Sequence, residues 1–414
     1  TLPTSDGTNG QVLTTDGSGA VTFADAGGGG ADLYAANPSS ATNPTANALN
    51  SVAIGDGMTT GSSAVGGIAI GQDGTVSGTN SVSLGKSGAY GTGSFAAAIS
   101  SVSYQNYGAD GDYSISVGYR SRASSSGAIA IGYEAKSLNN YSTAISRSYA
   151  SGTDSLAAAI ANNSSSYGAT GANSVAIGKL AKATSTGAVG IGYETQSTGQ
   201  YNSALGGYQT QATGSYHSLG LGSNARSTAF ASTAINGGNT GSYATADWSV
   251  SMGGGALSNI IGKFAYSSAG AFGSGATGDA QQGTYVLRSD TTDATAEAMT
   301  TNNSTAAANN QIVLANESAY SFTGTVVCRE DATDGDDYAG WEVKGVIMRQ
   351  GAAADTTLGV GIVNKLYSTS GISAADVALS ADTTNGGLKV EVTGVAATNI
   401  RWVATINTSE VINA

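Results

Sequence analysis

A short alternation of bulky and tiny side chains recurs along the chain from about residue 50 to residue 270. In Ser174-Val175-Ala176-Ile177-Gly178 the bulky Val175 and Ile177 alternate with small residues, and the pattern returns as Val189-Gly190-Ile191. A period of two marks a strand with two unlike faces. The bulky slot closing this run is read at Ile54, Ile70, Leu84, Ile99, Val117, Ile131, Ile145, Ile160, Ile177, Ile191, Leu205, Leu221, Ile235 and Met252, with gaps of 14 to 18 residues. A second, shorter strand follows each slot. In residues 180–184, Ala181 and Ala183 share one face and Lys182 takes the other; the equivalent outward position is Arg122, Lys136, Gln196 and Arg226 elsewhere. Gly-rich turns join the strands, because glycine tolerates the positive φ that tight turns need.

Two strands and two turns per repeat make one narrow coil, and 14 coils in phase predict a β-solenoid over residues 48–270. Stacking at the strand spacing gives a rod of roughly 65–70 Å. The fourteen slot residues are expected to fill the core of the roll, and Lys136 and Lys182 to be exposed. The tiny-residue face is left for close approach of other chains, which points to a homotrimer around one axis. Tyr133, Tyr141, Tyr193, Tyr201, Tyr208 and Tyr216 flank the strands; they read either as a sugar-binding ladder or as packing between neighbouring chains.

The pattern changes at both ends. Residues 1–47 carry an expected hairpin, 11–15 with 20–23, and a Gly-rich joint at 27–30. The repeat decays from Trp248. Phe264, Tyr266 and Phe272 suit a neck, 271–283, that closes the open end of the roll. Residues 284–414 contain eight strand-like runs, at 285–288, 311–314, 320–329, 341–349, 358–363, 377–379, 388–392 and 400–406. Their spacing predicts an antiparallel β-sandwich, jelly-roll-like. Alternation puts Trp341 and Trp402 in its core. The fold class is all-β throughout.

Composition changes this picture little. Only 11% of the 414 residues are charged, with 61 Gly and 3 Pro. The phased slot argues against disorder, since disordered tracts need no register. The net charge of −12 is concentrated in residues 273–414, which carry sixteen acids and seven bases. No basic stripe exists for nucleic acid, and no apolar run is long enough to insert in a membrane. Thr1 at the start reads as a fragment or processed product. Cys328 is alone, so no intrachain disulfide forms.

The repeat Ser-Val-Ala-Ile-Gly, followed by a small-x-small strand and a Gly turn, resembles the head repeat of trimeric autotransporter adhesins. That resemblance covers roughly residues 50–270 and implies a trimeric left-handed parallel β-roll. Residues 2–23, LPTSDGTNGQVLTTDGSGAVTF, resemble a segment of tail-fibre proteins of tailed phages. Residues 278–295, 378–394 and 398–406 resemble a C-terminal domain of such fibres. Together they imply a virion tail fibre that docks to other tail proteins at its N-terminal end and attaches to a host-cell surface glycan or protein. A bacterial trimeric adhesin and a tailspike depolymerase are the alternatives.

Chemistry is sparse. His217 is the only histidine and reads as a turn or interface residue; no catalytic or metal motif appears, so neither an enzyme nor a cofactor is expected. The acidic run at 330–337 reads as a solvated loop or a Ca²⁺ site, though without the spacing of a calcium loop. Receptor contact is expected on loops of the C-terminal domain, at Asp334, Asp336, Asp337, Tyr338, Thr369 and Ser370.

Overall fold

The computed structural model describes residues 3, 8, 11–15, 17–25, 42–97, 99, 107–162, 164–268, 272, 277–333 and 335–413. The Gly-rich joint and Asp334 lie outside the described residues. The chain forms two compact units, Thr1–Tyr119 and Arg120–Ala414. Both are built of strands, with a 3-10 turn at Ala353–Asp355.

In the first unit, Gln11–Thr15 pairs antiparallel with Val21–Asp25, the expected hairpin. Five parallel rungs follow, from Val52–Ile54 to Ile115–Val117, each with a two-residue partner strand such as Thr59–Thr60. The second unit holds ten rungs, from Ile129–Ile131 to Phe264–Tyr266. Successive rungs pair in parallel and in register: Val175 with Val189, Ala176 with Gly190, Ile177 with Ile191. The roll thus reaches one coil beyond Met252, with Tyr266 opposite it.

The strand faces are the reverse of the sequence expectation. Ala69, Ala130, Ala144, Ala176, Ala204 and Ala234 are wholly buried inside the coils. The bulky slots lie outside: Ile70, Ile131, Ile145, Ile191, Leu221 and Met252 are exposed, and Ile54, Leu84, Val117, Ile177, Leu205 and Ile235 are half-buried. The cause is width. Between a three-residue and a two-residue strand the room is narrow and is filled mostly by Ala and Ser, so the larger slot side chains face out. Ile99 and Ile160 are buried because they are not slot residues. Ala97 pairs with Leu84 and Val117, and Ala158 with Ile145 and Ile177; the two isoleucines fall two positions later, where the coil carries extra residues. On the second strands Ala181 and Ala183 point inward as expected, while Lys136 and Lys182 are half-buried.

The motif residues each answer a local need. The serine before the strand is buried, and its hydroxyl donates to the carbonyl three residues back: Ser142 to Asn139, Ser155 to Gly152, Ser174 to Gly171 at 2.6–2.7 Å. The glycine after the slot turns the chain at positive φ. At Gly178 φ is +114°, and a Cβ would strike the Gly192 carbonyl of the next coil.

The C-terminal part of the second unit is an antiparallel sandwich. Its large sheet runs Ala280–Thr291, Ile400–Ile412, Ser318–Glu330, Tyr338–Arg349, Thr357–Ser368 in spatial order. The small sheet pairs Gly387–Thr393 with Asp376–Asp382 on one side and with Ala296–Ala298 and Ile312–Val313 on the other. All eight expected strands are present; Ala296–Ala298 is an addition. Trp341 and Trp402 pack against each other in the core with ring centroids 5.4 Å apart and planes tilted by 33°, and the Trp402 indole donates to Thr291 Oγ1.

The sandwich is joined to the roll by sheet pairing. Ala280–Thr291 runs antiparallel to the last rung, Phe264 opposite Thr284 and Tyr266 opposite Gln282. Beneath this joint lies a buried polar cluster. Lys263 Nζ is 2.8 Å from Glu410 Oε2, and Gln281, Tyr285 and Thr408 also donate to the Glu410 carboxylate. Four donors on one buried carboxylate satisfy its lone pairs, which a desolvated ion pair requires. Burial, reinforced by Glu410, holds the Tyr285 phenol well above its usual range.

Candidate functional site

The large sheet has two ends. Residues 280–284, 318–322, 345–349 and 407–412 lie at the roll end. At the far end the chain forms loops at 292–295, 331–333 with 335–337, 369–375 and 394–399. A rigid sheet carrying loops at one end is the usual way a fold presents recognition residues.

Two of these loops are tied to each other. Tyr338 N donates to Thr369 Oγ1 at 3.0 Å, and Thr369 N donates to Tyr338 O at 3.0 Å. Gly371 N donates to Asp337 Oδ1 at 3.1 Å, and a Cβ at residue 371 would run into that carboxylate. Asp331 bridges to a third loop through Arg401, 3.0 Å away, and its amide donates to the Asn399 carbonyl. The result is a cross-linked surface rather than separate mobile loops.

Of the expected receptor residues, the structure brings Asp337, Tyr338, Thr369 and Ser370 together. Asp336 is an exposed neighbour, and Asp334 is outside the described residues. Sequence reasoning missed Tyr367. Its ring lies 5.3 Å from that of Tyr338, and both are about half exposed, at 54% and 50%. The run at 358–363 was the signal, but the strand extends to Ser368 and carries Tyr367 to the far end. Lys365 is held nearby, donating to the Ser373 and Ala375 carbonyls with its Nζ 5.4 Å from the Trp341 ring. The patch thus combines two aromatic faces, hydroxyls and carboxylates, which is chemistry that suits a polyol. Among the described residues, no cluster of three His, Cys, Asp or Glu side chains is placed to hold a metal ion.

The roll carries a second set of aromatics. Tyr141, Tyr201, His217 and Trp248 occupy one turn position in successive or neighbouring coils, all at φ between +54° and +60°. At Gly93, Gly127 and Gly187 that position is glycine and the next coil's tyrosine lies across it, as Tyr201 does over Gly187. Tyr201, His217, Phe230 and Trp248 form a continuous column with centroids 5.0–6.3 Å apart. Tyr193 and Tyr208 stack at 5.4 Å on the opposite turn. These rings therefore pack coil against coil within one chain, and His217 is a turn residue in that column. Tyr193 is held above the usual phenol range by its hydrogen bond to Glu194, whose carboxyl is in turn held low by Gln209.

No helix among the described residues is long and apolar enough to cross a membrane. No curated protein matches the chain. Among solved structures it is similar to the tailspike protein gp49 of the Acinetobacter baumannii bacteriophage Fri1, a capsular polysaccharide depolymerase. The identity is 8% and the TM-score 0.22, over 86% of this chain and 62% of that one, so the chain spans less than two thirds of that protein's length. The model of the YadA head domain repeat matches residues 109–135, 123–145 and 169–195. The roll of this chain therefore carries repeats of the YadA head type.

Proposed function

We propose that this chain is a host-attachment fibre of a tailed bacteriophage, working as a homotrimer. The N-terminal end docks to other tail proteins of the virion, the roll is the shaft, and the far-end loops of the sandwich touch the host. The observation that carries this reading is the far-end patch: Tyr338 and Tyr367 exposed side by side, with Asp337 and Thr369 fixed beside them by hydrogen bonds. Such a patch is suited to a surface glycan, because sugar rings stack on aromatic faces while hydroxyls and carboxylates fix their orientation. Three copies would add several weak contacts into one firm attachment, with gains of roughly 10²–10⁴ when geometry permits.

The trimer is supported by the outward ridge of the roll. Ile131, Ile145, Ile191 and Leu221 lie exposed in a single chain, and a long apolar ridge of this kind marks an interface. This moves the association face from the small side chains, where the sequence suggested it, to the bulky ones.

The test uses the labelled full chain on bacterial cells and on their purified surface polysaccharides. Binding should be lost in Tyr338→Ala and Tyr367→Ala, with unchanged melting. Unaltered binding in both variants would remove the far-end patch as the contact. New reducing ends in the polysaccharide would identify a depolymerase instead. The YadA-type repeats favour a bacterial surface adhesin as the second reading, and immunogold labelling separates the two: gold on virion tails supports a fibre, gold on the cell envelope an adhesin.

A further inference from the structure

The large sheet of the sandwich buries one face against the small sheet. Its other face is unlike an ordinary solvated surface. On a half-buried antiparallel sheet the outer face is normally polar. Here Val286, Val327, Val346 and Val403 point outward, each 45–54% exposed. Val327 and Val403 are direct cross-strand partners. Thr284, Thr325 and Thr405 beside them are uncharged, and on the next strand the outward Glu342 and Lys344 face each other as an ion pair at 3.5 Å. Arg288 lies beside Val403, and Arg329 and Arg401 sit at the far-end margin. Outward valines of this exposure fit a surface that a partner covers. The sheet also ends in the twelve-residue edge strand Thr357–Ser368, whose Val360, Ile362 and Leu366 are exposed. A long apolar edge left in water invites further pairing, so natural proteins cover it.

The occupant follows from register. The last rung of the roll pairs with the first strand of the large sheet, so both belong to one continuous sheet. Outward residues oppose outward ones, Tyr266 with Gln282 and Phe264 with Thr284, while buried Ala265 opposes buried Gly283. The ridge of the roll and the outer face of the sandwich are therefore one surface. A partner seated on the ridge in parallel carries its own sandwich to the same height, beside this one.

We propose that the outer face of the large sheet is a self-association surface, on which the sandwiches of neighbouring copies of this chain pack against one another. This rests on the trimeric reading given above. It turns the small sheet and its hairpin loop at 383–386 away from the partners and leaves at the tip the far-end loops and the far-end rim of this face, where Tyr338 and Tyr367 stand.

Thiol labelling of the full chain tests it, because Cys328 is buried, with its thiol pushed up to about 11 mainly by burial, and stays silent. Val403→Cys and Val286→Cys report the outer face, and Thr383→Cys, exposed on the hairpin loop, is the reference. Native mass spectrometry reads the assembly of each variant. A trimer in which the thiols at 403 and 286 react at least about tenfold more slowly than the thiol at 383 is the expected result. A trimer with equal rates at all three positions overturns the sandwich interface while leaving the fibre reading intact. A monomer of the unmodified chain overturns both. If one valine variant fails to assemble, the other carries the measurement.

Discussion

A coil of this roll has room for very little, and that constraint decides the role of each position in the repeat. Ala176 is fully buried and Ile177 beside it is only half so, because successive side chains of a strand take opposite faces and only the methyl fits inside. Ala176→Leu should therefore overfill the coil and cost about 1–3 kcal/mol per chain. Ile177→Ser should leave the coil folded and weaken association. Circular dichroism and native mass spectrometry on the two variants distinguish these effects; loss of fold in Ile177→Ser with none in Ala176→Leu would restore the opposite assignment of faces. The alternation itself was plain in the sequence, but which face lies inside was not. Hydrophobicity alone points the isoleucines inward, and only the number of residues per coil, which limits its width, reverses that inference. The same limit explains the misplaced slots: Ile99 and Ile160 looked like rungs because they were bulky, whereas Ala97 and Ala158 hold the register.

At the scale of the element, regular strands were easy to read and their joints were not. Eight strands of the sandwich and the N-terminal hairpin follow from alternation and turn residues. The link between Lys263 and Glu410 spans 147 positions and has no periodic signal, so it emerges only when the last rung and the first sandwich strand pair. The far-end site was half legible for a similar reason: the loop residues Asp337 and Thr369 could be named, but their contact and the partnership of Tyr338 with Tyr367 needed the strand lengths. Another joint shows how a loop is held. Burial pushes the Asp382 carboxyl up, yet hydrogen bonds from Asn385 and Thr384 outweigh it and keep the group below the usual range. A depressed carboxyl stabilises the fold above its unfolded value of about 3.9, and that contribution is lost as pH falls through the folded value. The hairpin of the small sheet should thus loosen below about pH 4. Amide exchange at residues 384–387 should rise there in the native chain, and Asp382→Asn should show the higher exchange already at pH 7. No difference between the two at pH 7 would mean the carboxylate does not hold the turn.

For the whole molecule, the sandwich is completed by the roll. Sequence reasoning separates them near residue 284, where the character of the chain changes. That cut removes residues 280–283 from a strand paired with Ile400–Ile412, and takes away Lys263 and Gln281, two of the four donors to Glu410. A buried carboxylate stripped of its cation is strongly destabilising, by about 3–5 kcal/mol. The fragment 284–414 should therefore melt well below the fragment 120–414, which keeps the compact unit whole. Full-length Lys263→Met isolates the electrostatic part, since it leaves the strand pairing in place. Its loss should fall in the same 3–5 kcal/mol range, roughly, and Lys263→Met/Glu410→Gln should recover part of it by neutralising the orphaned charge. Near-ultraviolet circular dichroism of the Trp341–Trp402 pair follows the sandwich directly in every case. If fragment 284–414 and fragment 120–414 lose that signal at the same temperature, the roll contributes nothing to the stability of the sandwich. The two would then be independent domains that share only a covalent link, and the head could not be registered on the shaft by the buried ion pair.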